Sequence, residues 1–136
     1  MTSIQTERGI DPVDLKKLLE KPESVVLVDV REKDEFKEWR IDESLNIPLA
    51  RLSSRRVLEK LRKSEQIVTV CAHGVSSAEA ARMLRRSGLN ASHLVEGLVG
   101  WSRVYDAAPV VTRTDFRLLQ IRRLGKGCTS YAVCSS

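Results

Sequence analysis

The sequence predicts an α/β domain in which a mostly parallel central sheet is flanked by helices in three layers. Two observations support this fold class. The run 25–28 is continuously β-branched and aliphatic, and the run 67–70 is apolar apart from Thr69; such runs are typical of strands buried on both faces. Segments with helical spacing of apolar residues lie between such runs, and strands that alternate with helices favour a parallel sheet.

The elements of the first half of the chain can be placed in order. Asp11 followed by Pro12 is typical of a helix start. The strand that contains 25–28 ends at Asp29, where polar side chains would emerge from the sheet. A short helix over 32–39 and a brief strand over 44–47 are expected next.

The second half repeats this alternation. An amphipathic helix over 52–61 precedes the strand 67–71, which ends at Cys71. The pattern Ser76-Ser77-Ala78-Glu79 predicts that Ser76 caps the next helix in a capping box, and Gly88 marks the end of that helix. A strand over 93–95 and a helix over 98–104 follow.

The C-terminal segment has a different character. We interpret 107–111 as a linker and predict two further strands, over 116–121 and 131–133. Two strands and a turn are too few to bury a core of their own. We therefore divide the chain into a first domain over 1–106 and a C-terminal extension over 107–136.

Composition narrows the class of protein. The chain has 136 residues and a net charge of +5, which suits one domain and mildly favours anionic ligands. Six Phe, Trp and Tyr residues together offer few stacking positions, so we expect no nucleic-acid partner. We also expect no membrane span. Three widely spaced cysteines do not form a disulfide framework and predict reduced thiols in the cytoplasm.

The most informative residue is Cys71, which lies between a buried strand and a helix start. Backbone N–H groups converge at such a junction and stabilise negative charge. We therefore expect this thiol to ionise more readily than a free one, and the thiolate is the nucleophilic form. Ligands of parallel sheets bind at the carboxyl ends of the strands, where both Asp29 and Cys71 fall. The pattern points to covalent sulfur or acyl chemistry.

Four motifs occur in the order found in rhodanese-type sulfurtransferase domains. They are Asp29-Val30-Arg31 with Glu35-Phe36, Ile41 with Asn46-Ile47-Pro48, Cys71-x-x-Gly74-x-x-Ser77, and Glu96-Gly97 with Gly100-Trp101. Each motif is weakly specific alone, but the ordered set makes residues 4–106 resemble this family. The resemblance implies a rhodanese-like fold.

The resemblance also implies a chemistry. Cys71 would be the catalytic residue, taking a sulfane sulfur from thiosulfate or a low-molecular-weight persulfide and holding it as a persulfide. A thiol or cyanide would then accept the sulfur. The implied partners are a small anionic donor and a thiol acceptor, which can also belong to a protein; no cofactor and no metal are implied. The substrate-binding residues implied by the loop are Ala72, His73, Gly74, Val75, Ser76 and Ser77.

Several residues allow more than one interpretation. Ser76 stands where many active family members carry an arginine, and serine supplies a hydrogen bond but no positive charge. His73 either orients a donor or is a solvated loop residue. We interpret Asp29 and Arg31 as structural support of the site, through hydrogen bonds or an ion pair, rather than as catalytic residues.

Two other functions remain open from the sequence. A cysteine phosphatase of the Cys-x5-Arg type would need an arginine that clamps the phosphoryl group, and that position is Ser77. A non-catalytic module for sulfur sensing or protein interaction is favoured by Ser76 in place of arginine.

The extension carries a second resemblance. Residues 120–131 are similar to the opening strands of metallo-β-lactamase-fold persulfide dioxygenases, so the extension is interpreted as the truncated start of such a domain. With His73 and His93 as the only histidines, no comparable metal site is expected. Cys128 and Cys134 are either sulfur acceptors for Cys71 or bystanders.

Overall fold

The computed structural model describes residues 8–111, 116–124 and 128–135. Its central sheet has five parallel strands in the order β1-β5-β4-β2-β3. The strands are β1 (Gly9–Ile10), β2 (Val26–Asp29), β3 (Leu45–Asn46), β4 (Ile67–Val70) and β5 (Ala91–Leu94). The helices are α1 (Pro12–Leu18), α2 (Lys33–Glu38), α3 (Arg55–Leu61), α4 (Val75–Arg86) and α5 (Gly97–Trp101). The predicted α/β fold with a flanked parallel sheet is confirmed.

Side-chain alternation along the strands builds a core on each face of the sheet. In β4, Ile67 packs with the core that contains Leu61 of α3 and Leu84 of α4. Val68 and Val70 point the other way, toward the core that contains Leu98 of α5 and Leu15 of α1. Both faces of β4 are therefore covered, which is why three of its four residues are aliphatic and Thr69 is buried.

A second, antiparallel sheet follows the first one. It consists of β6 (Tyr105–Val110), β7 (Phe116–Arg123) and β8 (Thr129–Ser135), in that order. The predicted strands in β7 and β8 are confirmed, but the prediction that 107–111 forms a linker is wrong. Pro109 has no N–H to donate, which favoured the prediction of a linker. An edge strand such as β6 nevertheless tolerates proline.

The helices in the described part of the chain are short. None of its helices is long and apolar enough to cross a bilayer. The longest, α4, has 12 residues, whereas a membrane span needs about 20.

Candidate active site

The alternation along β4 decides where Cys71 points. Counting in twos from Ile67, the side chains of Thr69 and Cys71 lie on the face covered by α4. Cys71 is 5 % exposed. Because β4 ends at Val70 and α4 begins at Val75, the sulfur lies below the first turn of the helix.

Backbone N–H groups of that first turn are directed at the sulfur. The N–H of Gly74 donates to Cys71 Sγ at 3.0 Å and the N–H of Ser77 donates to it at 3.3 Å. The Ser77 hydroxyl oxygen lies 3.2 Å from the same sulfur and is within hydrogen-bonding reach. The first amides of a helix lack intrahelical partners, and here a sulfur atom satisfies two donors at this end.

The predicted capping box at Ser76 is wrong. The N-cap is Gly74, so Ser76 lies inside the first turn and its side chain is exposed. The side chain of an N-cap serine normally accepts a hydrogen bond from the N–H three residues further on. Counted from the N-cap Gly74, that N–H belongs to Ser77, and it donates to Cys71 Sγ. The sulfur therefore takes the place of a capping oxygen, and negative charge on it is stabilised by the positive end of α4.

Two features hold the first turn of α4 over the sulfur. Gly74 has φ of +90°, a left-handed conformation that L side chains disfavour, and this turns the chain directly into the helix. The Thr69 hydroxyl donates to the Ser77 carbonyl oxygen at 2.7 Å, and this bond is buried. This bond holds the first turn of α4, and with it the Ser77 N–H, close to β4.

A third feature, the start of α5, was not predicted as part of the site. The N–H of Leu98 donates to the Cys71 carbonyl oxygen at 2.9 Å, and the N–H of Val99 donates to that of Ala72 at 3.1 Å. Gly97 has φ of +55°, and a Cβ there would lie 2.7 Å from the Ala72 carbonyl carbon. The Glu96-Gly97 motif pointed to this position, but only the fold shows that α5 clamps the Cys71 loop.

Asp29 and Arg31 form a buried ion pair. The Arg31 Nη2 lies 2.9 Å from Asp29 Oδ2, and the two side chains are 9 % and 1 % exposed. The guanidinium also donates to the carbonyl oxygens of Glu35 and Trp39, so it ties the segment that contains α2 to the end of β2. The pair thus braces the wall that faces the Cys71 loop across the cavity.

The cavity beside Cys71 has a volume of about 370 Å³, which lies within the roughly 300–1,000 Å³ of small-molecule sites. Its lining residues are Val30, Arg31, Glu32, Glu35, Leu49, Cys71, Ala72, His73, Val75 and Ser76. His73, Val75 and Ser76 are exposed at this site, whereas Ser77 is buried. The loop therefore offers a sulfur atom at the cavity wall and backbone donors behind it.

The thiols of the other two cysteines do not line this cavity. Neither Cys128 nor Cys134, which lie on or next to β8, forms a disulfide, and neither lines the cavity. Within the described ranges, no group of three or more His, Cys, Asp or Glu side chains is arranged to hold a metal ion.

Comparison with known proteins gives a consistent result. Residues 11–104 match the model of the rhodanese-like domain family. The chain is 34 % identical over 95 residues to a probable adenylyltransferase/sulfurtransferase MoeZ of Mycobacterium tuberculosis, covering 69 % of this chain and 24 % of that protein. It is 31 % identical over 84 residues to a thiosulfate sulfurtransferase GlpE of Coxiella burnetii, covering 61 % of this chain and 77 % of that protein.

The solved structures agree with this match. A rhodanese-like domain protein from Staphylococcus aureus superimposes with a TM-score of 0.63 at 30 % identity, over 69 % of this chain and 90 % of that one. The chain spans about a quarter of the length of MoeZ, and the family match ends at residue 104, before β6.

Proposed function

Because this chain belongs to the rhodanese-like domain family, whose members include proteins named as sulfurtransferases, we propose that it transfers sulfane sulfur through a persulfide on Cys71. The observation that carries this proposal is the pair of N–H groups, from Gly74 and Ser77, that donate to Sγ. The same two donors can hydrogen-bond a thiolate at this position, and the thiolate is the attacking species.

The reaction needs two displacements. The Cys71 thiolate attacks the outer sulfur of a persulfide, or the sulfane sulfur of thiosulfate. A new bond to Sγ forms, the S–S bond of the donor breaks, and its electron pair leaves on the donor thiolate or on sulfite. An acceptor thiolate or cyanide then attacks the outer sulfur, and Cys71 leaves as a thiolate. No oxidant is consumed.

The cavity suits the intermediate. The outer sulfur of a persulfide on Cys71 extends into the space between the loop and the wall formed by Val30 and Leu49. Val30 is 4 % exposed and Leu49 packs against the same core, so this wall shields the sulfur from water. Ser77 is fully buried beside Sγ. A phosphatase needs a guanidinium at that position, so we favour sulfur transfer over phosphoryl transfer.

We propose a reducing cytoplasm as the setting, since none of the three cysteines forms a disulfide. The resemblance of residues 120–131 to a metallo-β-lactamase-fold domain stays a prediction, and its residues 125–127 lie outside the described ranges. Exposed apolar side chains on β8, at Tyr131 and Val133, support the interpretation that the extension begins a further domain.

The proposal is tested by mass spectrometry of the protein after exposure to thiosulfate or a low-molecular-weight persulfide. Addition of one sulfur atom to Cys71, reversed by a thiol acceptor and absent in Cys71→Ser, is the expected result. An unmodified Cys71 with both donors, in protein that remains folded, would overturn the proposal.

A further inference from the structure

The mouth of the Cys71 cavity carries negative charge, although the chain as a whole has a net charge of +5. Two exposed glutamates, Glu32 and Glu35, line the cavity, and we call them the acidic rim. Glu32 precedes α2 and Glu35 lies in its first turn. In the described part of the chain, the lining includes no lysine and only one arginine, Arg31.

Arg31 is not available to grip an anion. Its Nε and Nη2 donate to the Asp29 carboxylate, and Nη2 also donates to the Trp39 carbonyl oxygen at 2.6 Å. Its Nη1 donates to the Glu35 carbonyl oxygen. To turn toward a ligand, the guanidinium would have to leave a carboxylate that is only 1 % exposed, and breaking such a buried pair is costly.

Apart from His73 and Ser76, the remaining lining side chains are apolar. Val75 is 78 % exposed at the mouth, and Ser76 contributes only a hydroxyl. Among the described lining residues, a donor with a negatively charged body therefore meets two carboxylates, no lysine and no arginine besides the paired Arg31 as it approaches Sγ. A donor with a positively charged body is attracted by the same two groups.

We infer that the sulfur donor is a small persulfide whose body is neutral or positively charged, and that the acidic rim selects it over thiosulfate and over persulfides of carboxylated thiols. This inference rests on the proposed role of Cys71 as the sulfur carrier. In the selected reaction, the Cys71 thiolate bonds to the outer sulfur of the persulfide, and the thiolate of the donor leaves with the electron pair of the broken S–S bond.

Two donors of equal length test the selection. The persulfides of cysteamine and 3-mercaptopropionate differ at the far end of a two-carbon chain, where one carries an ammonium and the other a carboxylate. The rate constant for persulfide formation on Cys71 is measured with each donor, in the full chain, at low and high salt. The ratio of the two rate constants is compared between variants, so that intrinsic differences between the donors cancel.

The acidic rim is removed with the double variant Glu32→Gln and Glu35→Gln. Glutamine can still accept the hydrogen bond that Glu35 Oε2 receives from the Glu32 N–H. We expect the preference for the cysteamine persulfide to fall about fivefold in this variant at low salt. The matched control is Glu38→Gln, an exposed residue of α2 that does not line the cavity, and it leaves the ratio unchanged.

Salt gives a second measurement that needs no variant. In the wild-type chain, the preference should shrink as ionic strength rises, because exposed charges are screened. A ratio that neither salt nor the double variant changes overturns the inference, while persulfide formation on Cys71 still supports the proposed function. If neither these two persulfides nor thiosulfate modifies Cys71 in folded protein, both proposals are overturned.

Discussion

Gly97→Ala is expected to damage the site through backbone contacts alone. Gly97 begins α5, and a Cβ at this position would lie within 3.0 Å of the carbonyl groups of both Cys71 and Ala72. These are main-chain atoms, which cannot rotate away as a side chain can. Either α5 moves outward, and its hydrogen bonds to those carbonyls lengthen, or the Cys71 loop moves.

The cost can be worked out from two contributions. A non-glycine residue at φ of +55° costs roughly 1–2 kcal/mol, and inserting a methyl group into packed structure costs about 1–3 kcal/mol. Gly97→Ala should therefore lower the free energy of unfolding by about 2–5 kcal/mol. Because the displaced loop carries the donors to Sγ, sulfur transfer should fall at least about tenfold.

Gly88→Ala is the matched control. Gly88 also has a positive φ, +84°, but a Cβ there would meet nothing within 4 Å. Only the backbone contribution applies, so the loss should be about 1–2 kcal/mol, with sulfur transfer unchanged. Urea unfolding and the rate of persulfide formation on Cys71 are measured for both variants. Equal losses of stability and equal rates would refute the claim that α5 clamps the loop.

Three further variants probe the site. Ser77→Ala removes the hydroxyl 3.2 Å from Sγ but keeps the N–H. Persulfide formation should slow about tenfold, while the free energy of unfolding changes by less than about 1.5 kcal/mol. A rate equal to that of the wild type would contradict a role of this hydroxyl at the sulfur. Asp29→Ala leaves Arg31 buried without its carboxylate and should lower the free energy of unfolding in urea by about 3–5 kcal/mol. Asp106→Ala breaks a half-exposed pair with Lys16 and should lower it by less than about 1 kcal/mol. Similar losses would contradict the importance of the buried pair. Ser76→Arg places a cation at the cavity, so the rate of thiocyanate formation from thiosulfate and cyanide should rise about tenfold. An unchanged rate would contradict the inference that charge at the cavity mouth controls which donor reacts.

The position of Cys71 was predictable because it follows from a local pattern. A period of two along 67–71 fixes which face each side chain occupies, and a helical pattern begins soon after Cys71. The structure places β4 and α4 close to these limits. The family motifs added the expectation of sulfur chemistry, which the sequence pattern alone left open.

The details that failed depend on contacts between distant segments. The rules for helix starts search for a side-chain oxygen near the first turn, and Ser76 satisfied them, but the acceptor is the sulfur at the end of the preceding strand. The clamp by α5 joins residues that are more than twenty positions apart, and no local pattern encodes it. The strand β6 was missed because its ladder with β7 is a tertiary contact.

The acidic rim could not be predicted from the sequence for a related reason. Glu32 and Glu35 are ordinary acidic residues of a helix start when they are read along the chain, where they complement the helix dipole. Their position at the cavity becomes visible only when β2 and β4 lie side by side in the sheet. An ion pair of Arg31 with Asp29 was among the contacts expected from the sequence, but only the fold shows that the pair is buried and keeps this lining arginine from a ligand.

The most direct test of the account follows a labelled sulfur atom through one turnover. The chain with Cys128→Ser and Cys134→Ser, which keeps Cys71 as its sole thiol, is loaded with a radiolabelled persulfide, freed of excess donor and mixed with a thiol acceptor. We predict that about one equivalent of label is bound at Cys71 and passes to the acceptor. Label that never binds to this folded variant, or that binds and is not released to the acceptor, would contradict it.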